Sequence, residues 1–236
     1  MPGVFATRDF GLWFEDCATF VIADLHLGYE AEARSEGAGF PSTQFPIIRK
    51  RISSILKNYK PKRLVIAGDM KHSLGRNRRQ EWDEVSALVT MLEGRCEPIV
   101  LRGNHDNFLV SILRRSGLNL EESLAIGRAL IVHGDRKFRR PQNSWLVLGH
   151  EHPSIKLFDR LGASATAQCF LWSSDCRTIV LPAFSPISFG RNVVRDDALP
   201  LSPMLDGFGS FELAAINGDE LLRFGKVGGI QSSAVG

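Results

Sequence analysis

Five short polar motifs carry the residues of this chain that could do chemistry. In chain order they are Asp24-Leu25-His26, Gly68-Asp69, Gly103-Asn104-His105-Asp106, His133-Gly134-Asp135 and Gly149-His150-Glu151-His152. The sixth histidine, His72, lies three residues after Asp69. Two divalent ions about 3.5–4 Å apart need several nitrogen and oxygen ligands, one of them shared. The motifs therefore predict a two-metal site in which Asp69 is the bridging ligand. The metals would lower the pKa of a shared water, and the resulting hydroxide would attack a phosphate in line.

The elements that must position these motifs are short buried strands. Apolar runs rich in Val and Ile cover residues 19–23, 63–67 and 98–101, and each leads into a polar motif, so we predict strands that end at one edge. Apolar residues at three- and four-residue steps predict amphipathic helices over 45–59 and 82–92. A third helix is predicted over 107–115, and residues 25–41 read as a loop.

The second half of the chain is predicted to be dominated by strands and hairpins. Strand-like runs cover residues 124–126, 130–133, 145–149, 155–158, 167–172 and 178–181. The fold class is therefore α/β, a layered α-β-β-α sandwich of two mixed sheets flanked by helices, with the metal site at strand ends. We place the catalytic domain at residues 1–195 and a C-terminal extension at 196–236, with a linker rich in Pro, Ser and Gly, a terminal hairpin and a frayed tail.

Composition excludes some classes of protein. The 236 residues are 44% apolar, enough for one sizeable core, and the formal charge of +3 is too small to indicate nucleic-acid binding by itself. The four cysteines form no Cys-x-x-Cys pair. Neither a signal-peptide pattern nor a run of eighteen apolar residues is present, so we expect a cytoplasmic protein without membrane association.

In their order and spacing, the motifs from Asp24 to His152 resemble those of the calcineurin-like metallophosphoesterase superfamily. The resemblance implies that one metal is held by Asp24, His26 and His152, and the other by Asn104, His133 and His150, with Asp69 joining them. It also implies that His105 is not a ligand but touches the substrate, protonating the leaving oxygen or stabilising charge on the phosphate. Asp106 would orient His105.

Four stretches carry a narrower resemblance, at residues 23–30, 68–72, 149–153 and 181–186. They resemble the stand-alone archaeal and bacterial phosphoesterases related to the nuclease subunit of double-strand-break repair, over residues 15–195. This resemblance implies that His72 is a second contact to the phosphate. It also implies two divalent metal ions, with manganese preferred and zinc, iron, nickel or cobalt as alternatives. Some bacterial members are encoded beside a DNA ligase and a helicase, which makes such repair proteins candidate partners.

Arginines near the motifs are the candidate substrate contacts. Arg102 precedes the Gly-Asn-His-Asp motif, Arg76 follows His72, and Arg139 follows His133. Each could bind a phosphate, and each is equally well explained as a solvated or ion-paired side chain. We predict a metal-dependent phosphodiesterase that hydrolyses DNA. The alternatives are a hydrolase of small or cyclic nucleotides and a catalytically silent metal-binding partner in a repair complex.

Overall fold

The computed structural model describes residues 1–35, 37, 42–158, 164–188, 190–195 and 197–233. Its first sheet has six strands in the order β1-β2-β3-β4-β5-β6. The central strands β3, β4 and β5 run parallel to one another, and β1 and β2 are antiparallel additions at one edge. The strands are Val4–Thr7, Gly11–Phe14, Thr19–Ile22, Arg63–Ala67, Glu97–Leu101 and Leu120–Glu121.

The second sheet has nine strands. Its main path runs β13-β10-β11-β12-β9-β8-β7, with β14 pairing on β11 and β15 on β14. The strands β7 to β15 are Leu124–Ile126, Ala129–Val132, Trp145–Leu148, Pro153–Phe158, Ser164–Ser173, Thr178–Val180, Arg191–Asn192, Glu212–Asn217 and Glu220–Lys226. Parallel pairs such as β8 with β9 stand beside antiparallel ones, so this sheet is mixed.

The two sheets stack face to face, and alternation along the strands separates the layers. In β3, Phe20 and Ile22 pack under helices α2 (Gln44–Asn58) and α3 (Arg79–Leu92), whereas Val21 packs into the core between the sheets. The outer face of the second sheet is covered by Phe208, Phe211 and residues around them, including the start of helix α5 (Val227–Ser233). The predicted α/β sandwich of two mixed sheets flanked by helices is confirmed.

Two local predictions need correction. Residues 25–41 contain a helix, α1 (Tyr29–Ser35), rather than only a loop, although residues 36 and 38–41 lie outside the described part. Glu30 of α1 is buried, and its Oε1 accepts hydrogen bonds from the backbone N–H groups of Thr43 and Gln44, at 2.7 and 2.9 Å. The predicted helix over 107–115 is shorter. It comprises α4 (Val110–Leu113) and a 3-10 turn (Arg114–Ser116) that is capped by Gly117.

The C-terminal segment is joined to the second sheet. The hairpin of β14 and β15 pairs with β11, so residues 212–226 extend that sheet. The sequence suggests a frayed tail from Val227, but residues 227–233 form α5; residues 234–236 are outside the described part. The division of domains after residue 195 stays a prediction.

None of the helices in the described ranges combines the length and apolar character that crossing a bilayer requires.

Candidate metal centre

All seven predicted metal ligands lie where parallel strands end. Asp24 and His26 follow β3, Asp69 follows β4, Asn104 follows β5, His133 follows β8, and His150 and His152 follow β9. Backbone hydrogen bonds continue between these strand ends, because Asp24 N–H donates to the Gly68 carbonyl at 3.1 Å and Gly149 N–H donates to the His133 carbonyl at 3.0 Å. The sheet stacking then brings both sets of strand ends to one cleft.

The first group of ligand atoms comprises Asp24, His26 and His152. The Nε2 atoms of His26 and His152 are 3.2 Å apart, and His152 Nε2 lies 3.4 Å from Asp24 Oδ1. Asp24 is fully buried. A buried carboxylate facing two imidazoles is a suitable donor set for a divalent cation.

The second group comprises Asp69, His133 and His150, with Asn104 beside them. His133 Nε2 is 3.1 Å from both His150 Nδ1 and Asn104 Oδ1. The other ring nitrogen of His133, Nδ1, donates to the Ala67 carbonyl at 3.1 Å. This backbone contact leaves Nε2 to face the cleft, which is the usual arrangement of a metal-binding histidine.

Asp69 faces both groups. Its Oδ2 is 3.3 Å from His133 Nε2 and 3.8 Å from His26 Nε2. Its Oδ1 accepts a hydrogen bond from the backbone N–H of His105 at 3.0 Å. One oxygen is therefore held by the backbone, and the other is directed between the two groups, as a bridging ligand requires.

Five of these ligands have left-handed backbone conformations. The φ angles are positive at Asp24, His26, Asp69, His150 and His152, with values from 43° to 66°. Such conformations cost roughly 1–2 kcal/mol for a residue with a Cβ. The chain adopts them at each strand end in order to turn these side chains into one cleft.

Two glycines allow the strand ends to approach closely. A Cβ on Gly68 would lie 2.4 Å from His133 Nδ1, and Gly68 itself has a φ of 88°. A Cβ on Gly103 would lie 2.1 Å from Asp69 Oδ1. The glycines of the Gly-Asp and Gly-Asn-His-Asp motifs are therefore required by the packing of the site.

Two opposing effects set the pKa values in the cluster: burial disfavours the charged form of each group, and neighbouring groups of opposite charge favour it. Burial lowers the pKa of His26 to about 3, so this imidazole is neutral. Burial also disfavours a charge on His133, but the hydrogen bond and negative charge of Asp69 outweigh it and raise the pKa of His133 to about 10. Conversely, burial would raise the pKa of Asp69, yet His133 lowers it overall. The cluster thus attracts positive charge, which a proton supplies at His133.

These observations together fit two divalent cations. Carboxylate and imidazole donors form two groups in which the ligand atoms lie within 4.8 Å of one another, and the Asn104 amide oxygen lies 3.1 Å from His133 Nε2 of the second group. Asp24 and Asp69 are buried carboxylates, and such groups need a compensating cation. A third group of the same kind shares His26 and adds His72 and His105.

His72 and His105 form a stacked pair beside His26, and of these two only His105 is among the described residues that line the cleft. Their ring centroids are 5.3 Å apart with an interplanar angle of 19°. His105 Nδ1 donates to the backbone carbonyl of His72, and its Nε2 lies 3.9 Å from Asp69 Oδ2. His72 Nδ1 is 3.3 Å from His26 Nδ1, and burial, with the proximity of His105, lowers the pKa of His72 to about 4. His105 therefore stands beside the Asp69 carboxylate, and His72 stands beside His26.

The hydrogen bonds of Asp106 differ from those expected of a residue that orients His105. Its Oδ1 accepts hydrogen bonds from the backbone N–H groups of Met70 and Lys71 at 3.1 and 3.3 Å, and its Oδ2 accepts one from Gly103 at 2.9 Å. No hydrogen bond found in the described residues joins it to the His105 ring. Burial, with the charge of Asp69, raises the pKa of Asp106 to about 7. Asp106 instead ties the loop after β4 to the loop after β5, since its short, buried side chain reaches only backbone.

Comparison with known proteins decides the family. A family model of calcineurin-like phosphoesterases matches residues 19–220, a span that includes every predicted ligand. The chain belongs to the calcineurin-like phosphoesterase family. It is therefore a metal-dependent phosphoesterase. A search of curated proteins found none that matches the sequence.

Two solved structures are similar to this phosphoesterase. The nuclease MPE of Pseudomonas putida is 15% identical, with a TM-score of 0.69, and the match covers 94% of each chain. The phosphoesterase YfcE of E. coli is 14% identical, with a TM-score of 0.43, and the match covers 88% of this chain and 98% of the other. The first similarity shows a shared fold.

The three arginines predicted to bind substrate lie outside the metal cleft. Arg102 pairs with Glu122 at 3.0 Å, while Arg76 and Arg139 are exposed. Among the described residues, the lining of this cleft of about 460 Å³ includes none of them. The ion pair with Glu122 agrees with the alternative explanation of Arg102, that of an ion-paired side chain. Contact with substrate stays a prediction for all three arginines.

Among the residues of the cleft wall that sequence reasoning missed are Arg191 and Leu201. The Arg191 N–H donates to the His152 carbonyl at 2.8 Å, because β13 pairs in parallel with β10. No local motif marks either residue. Their proximity to the Gly-His-x-His motif depends on pairing between strands that are distant in the chain.

Proposed function

We propose that this phosphoesterase is a two-metal phosphodiesterase that hydrolyses DNA. The observation that carries the proposal is Asp69, whose Oδ2 faces the His133 imidazole on one side and the His26 imidazole on the other. A carboxylate in that position would be shared by two cations. Manganese is the proposed metal, because mixed oxygen and imidazole donors suit it, and the same donors also accept zinc, iron, nickel and cobalt.

The residues divide into two ligand sets. Asp24, His26 and His152 would hold one cation, Asn104, His133 and His150 would hold the other, and Asp69 would belong to both. Two cations so bound would supply a water of lowered pKa and would neutralise charge on the phosphate. The protein contributes the fixed geometry, since each ligand stands at the end of a strand.

His105 is the proposed proton donor. Its Nδ1–H donates to the His72 carbonyl, so the imidazolium form would give up the proton on Nε2, on the side of Asp69, and leave a neutral ring. A leaving oxygen that received this proton would depart as a hydroxyl group. His105 is partly exposed to the cleft, which gives a substrate access to it.

His72 is the proposed second contact to the phosphate. Its low pKa keeps the ring neutral, and its Nδ1 faces His26, so Nε2 is the atom left for a substrate. Asp106 acts as a positioning residue, because its three backbone hydrogen bonds hold the loops that carry Asp69 and His105.

Several observations favour DNA as the substrate. The similar Pseudomonas putida protein is a nuclease, and its match extends over nearly the whole chain. Exposed Arg76 and Arg79 follow the loop of His72, and exposed Lys137 and Arg139 follow His133, so positive charge is present downstream of two ligand loops. A cytoplasmic location and a DNA ligase or helicase as partners are part of this proposal and rest on the sequence alone.

A substrate panel tests the proposal. The purified chain, stripped of metal and then supplied with each divalent metal in turn, is offered circular DNA, bis-p-nitrophenyl phosphate, p-nitrophenyl phosphate and cyclic nucleotides. We expect manganese-dependent cleavage of DNA and of the chromogenic diester, abolished in Asp69→Asn and His150→Ala. Asp219→Asn, at an exposed carboxylate paired with Arg8, is the matched control and should retain full activity.

Other outcomes would refute the assignment. Faster cleavage of cyclic nucleotides than of DNA would make the chain a hydrolase of small substrates. A chain that binds both metals and cleaves none of the diesters would be a silent partner. Undiminished activity of Asp69→Asn would attribute the activity to a contaminant.

A further inference from the structure

A guanidinium group lies on the wall of the metal cleft, outside the ligand set. Arg191 lines the cleft together with Asp69, Asn104 and His150. Its side chain is 38% exposed, yet its Nη1 atom is buried and has no hydrogen-bond partner among the described residues. A buried donor without a partner costs free energy. The nearest acceptor to Nη1 among the described residues is the Oε2 of Glu151, which is also buried without a hydrogen bond, so the donors of the exposed part of the guanidinium are the ones that an acceptor oxygen in the cleft would reach.

The backbone holds Arg191 close to a predicted metal ligand. Its N–H donates to the carbonyl of His152 at 2.8 Å. The preceding residue, Gly190, has a φ of 74°, and a Cβ there would lie 2.2 Å from that same carbonyl. Only a glycine allows this approach, so the position of Arg191 beside the metal ligand is built into the local backbone.

Glu151 restrains the guanidinium without saturating it. Glu151 is fully buried between two predicted ligands, and its Oε1 accepts a hydrogen bond from the Ser202 N–H at 2.6 Å. Its Oε2 lies 3.7 Å from Arg191 Nη1, which is an ion pair but too long for a hydrogen bond. The carboxylate therefore keeps the guanidinium near the wall while donors of the fork stay available.

We propose that Arg191 forms a second phosphate-binding position, which holds a phosphate flanking the scissile one in a polynucleotide. This inference rests on the proposed phosphodiesterase function. The planar fork of arginine suits two phosphate oxygens, and its tether to Glu151 keeps it at the wall, apart from the ligands around Asp69. Leu201, 54% exposed on the same wall, offers apolar surface to the adjoining sugar or base.

Arg191→Gln tests the position, with Arg128→Gln as the matched control. Arg128 is exposed in the turn before β8, whereas the cleft lies at the other end of that strand, so the control removes the same charge far from the site. Hydrolysis of a single-stranded oligonucleotide and of bis-p-nitrophenyl phosphate is compared at several salt concentrations. Binding of a fluorescent oligonucleotide is followed by anisotropy in EDTA, so that affinity can be measured even for a variant without catalytic activity.

For Arg191→Gln we expect KM for the oligonucleotide to rise roughly tenfold, while turnover of the chromogenic diester, which has no flanking phosphate, stays unchanged. The slope of log affinity against log salt should fall by about 0.7, the value for one phosphate contact on a single strand. Arg191→Lys should restore the salt slope but only part of the affinity, because it keeps the charge and loses the fork.

An equal loss on both substrates would give Arg191 a merely structural role and overturn the proposal, as would wild-type KM and salt slope in Arg191→Gln. Wild-type protein that fails to bind the oligonucleotide would also overturn it. If the wild-type protein binds the oligonucleotide more tightly than Arg191→Gln but cleaves neither substrate, the phosphodiesterase function is refuted and the phosphate-binding role of Arg191 is retained.

Discussion

Replacing Gly103 by alanine tests whether the position of Asp69 governs activity. The added Cβ would lie 2.1 Å from Asp69 Oδ1 and 2.4 Å from the Asp69 backbone nitrogen. Because real Cβ atoms essentially never lie closer than 3.0 Å to another heavy atom, the carboxylate must move by about 1 Å. That movement would stretch the hydrogen bond from the His105 N–H, now 3.0 Å, and shift the oxygen that faces both ligand groups.

The magnitude follows from this displacement. A misplacement of about 1 Å at a catalytic site can lower the rate roughly 100-fold, and disturbing groups that orient metal ligands lowers metal affinity about 10- to 100-fold. Overpacking by one methyl group costs about 1–3 kcal/mol of folding free energy. We therefore expect Gly103→Ala to fold, to bind manganese more weakly, and to hydrolyse bis-p-nitrophenyl phosphate about 100-fold more slowly at saturating metal.

Gly207→Ala is the matched control, since a Cβ there would meet no atom within 4 Å. Steady-state kinetics across a manganese titration, with circular dichroism to verify folding, provide the assay. Wild-type kcat and metal affinity in Gly103→Ala would refute the reasoning, because the bridging carboxylate would then tolerate displacement.

Three further predictions concern the residues around the bridge. Asp106→Ala would leave three backbone N–H groups without their acceptor, so urea denaturation should show a loss on the order of 3 kcal/mol in the free energy of unfolding; an unchanged midpoint would contradict this role. His105→Ala should retain both metals, as measured by elemental analysis, and its kcat on DNA should fall at least about 100-fold. The loss of kcat on a nitrophenyl diester should be smaller, because that leaving group needs no proton. Equal losses on the two substrates would show that His105 is not a proton donor. The pKa of metal-free His133 is about 10 and that of His26 is about 3, so metal binding must displace a proton from His133 and none from His26. That one proton should raise the apparent metal affinity about tenfold per pH unit from pH 7 to 9. Calorimetry in buffers of different ionisation enthalpy would disprove this by finding no released proton.

The ligand cluster could be predicted from the sequence because its information is local. Each motif directly follows a strand, and parallel strands present their carboxyl ends at one edge, so Asp24, Asp69 and His133 needed only the correct strand assignment to be brought together. The glycines at 68 and 103 belong to the same motifs and are explained by the same close approach.

Other features depend on contacts between distant segments and had no local signal. Helix α1 is anchored through Glu30 to the backbone of Thr43 and Gln44, beyond a stretch rich in glycine that reads as a loop. Asp106 appears in sequence to accompany His105, yet its carboxylate is bound by the loop after another strand. Arg191 reaches the cleft because β13 pairs with β10. The paired residues Pro153 and Arg191 are 38 positions apart in the chain, and no periodicity in the sequence predicts their pairing.

The most direct test of the two-metal account is an anomalous difference map from crystals grown with manganese. The account predicts two peaks about 3.5–4 Å apart. One should lie among Asp24, His26 and His152, the other among Asn104, His133 and His150, with an Asp69 oxygen between them. A single peak, or two peaks that Asp69 does not join, would contradict it.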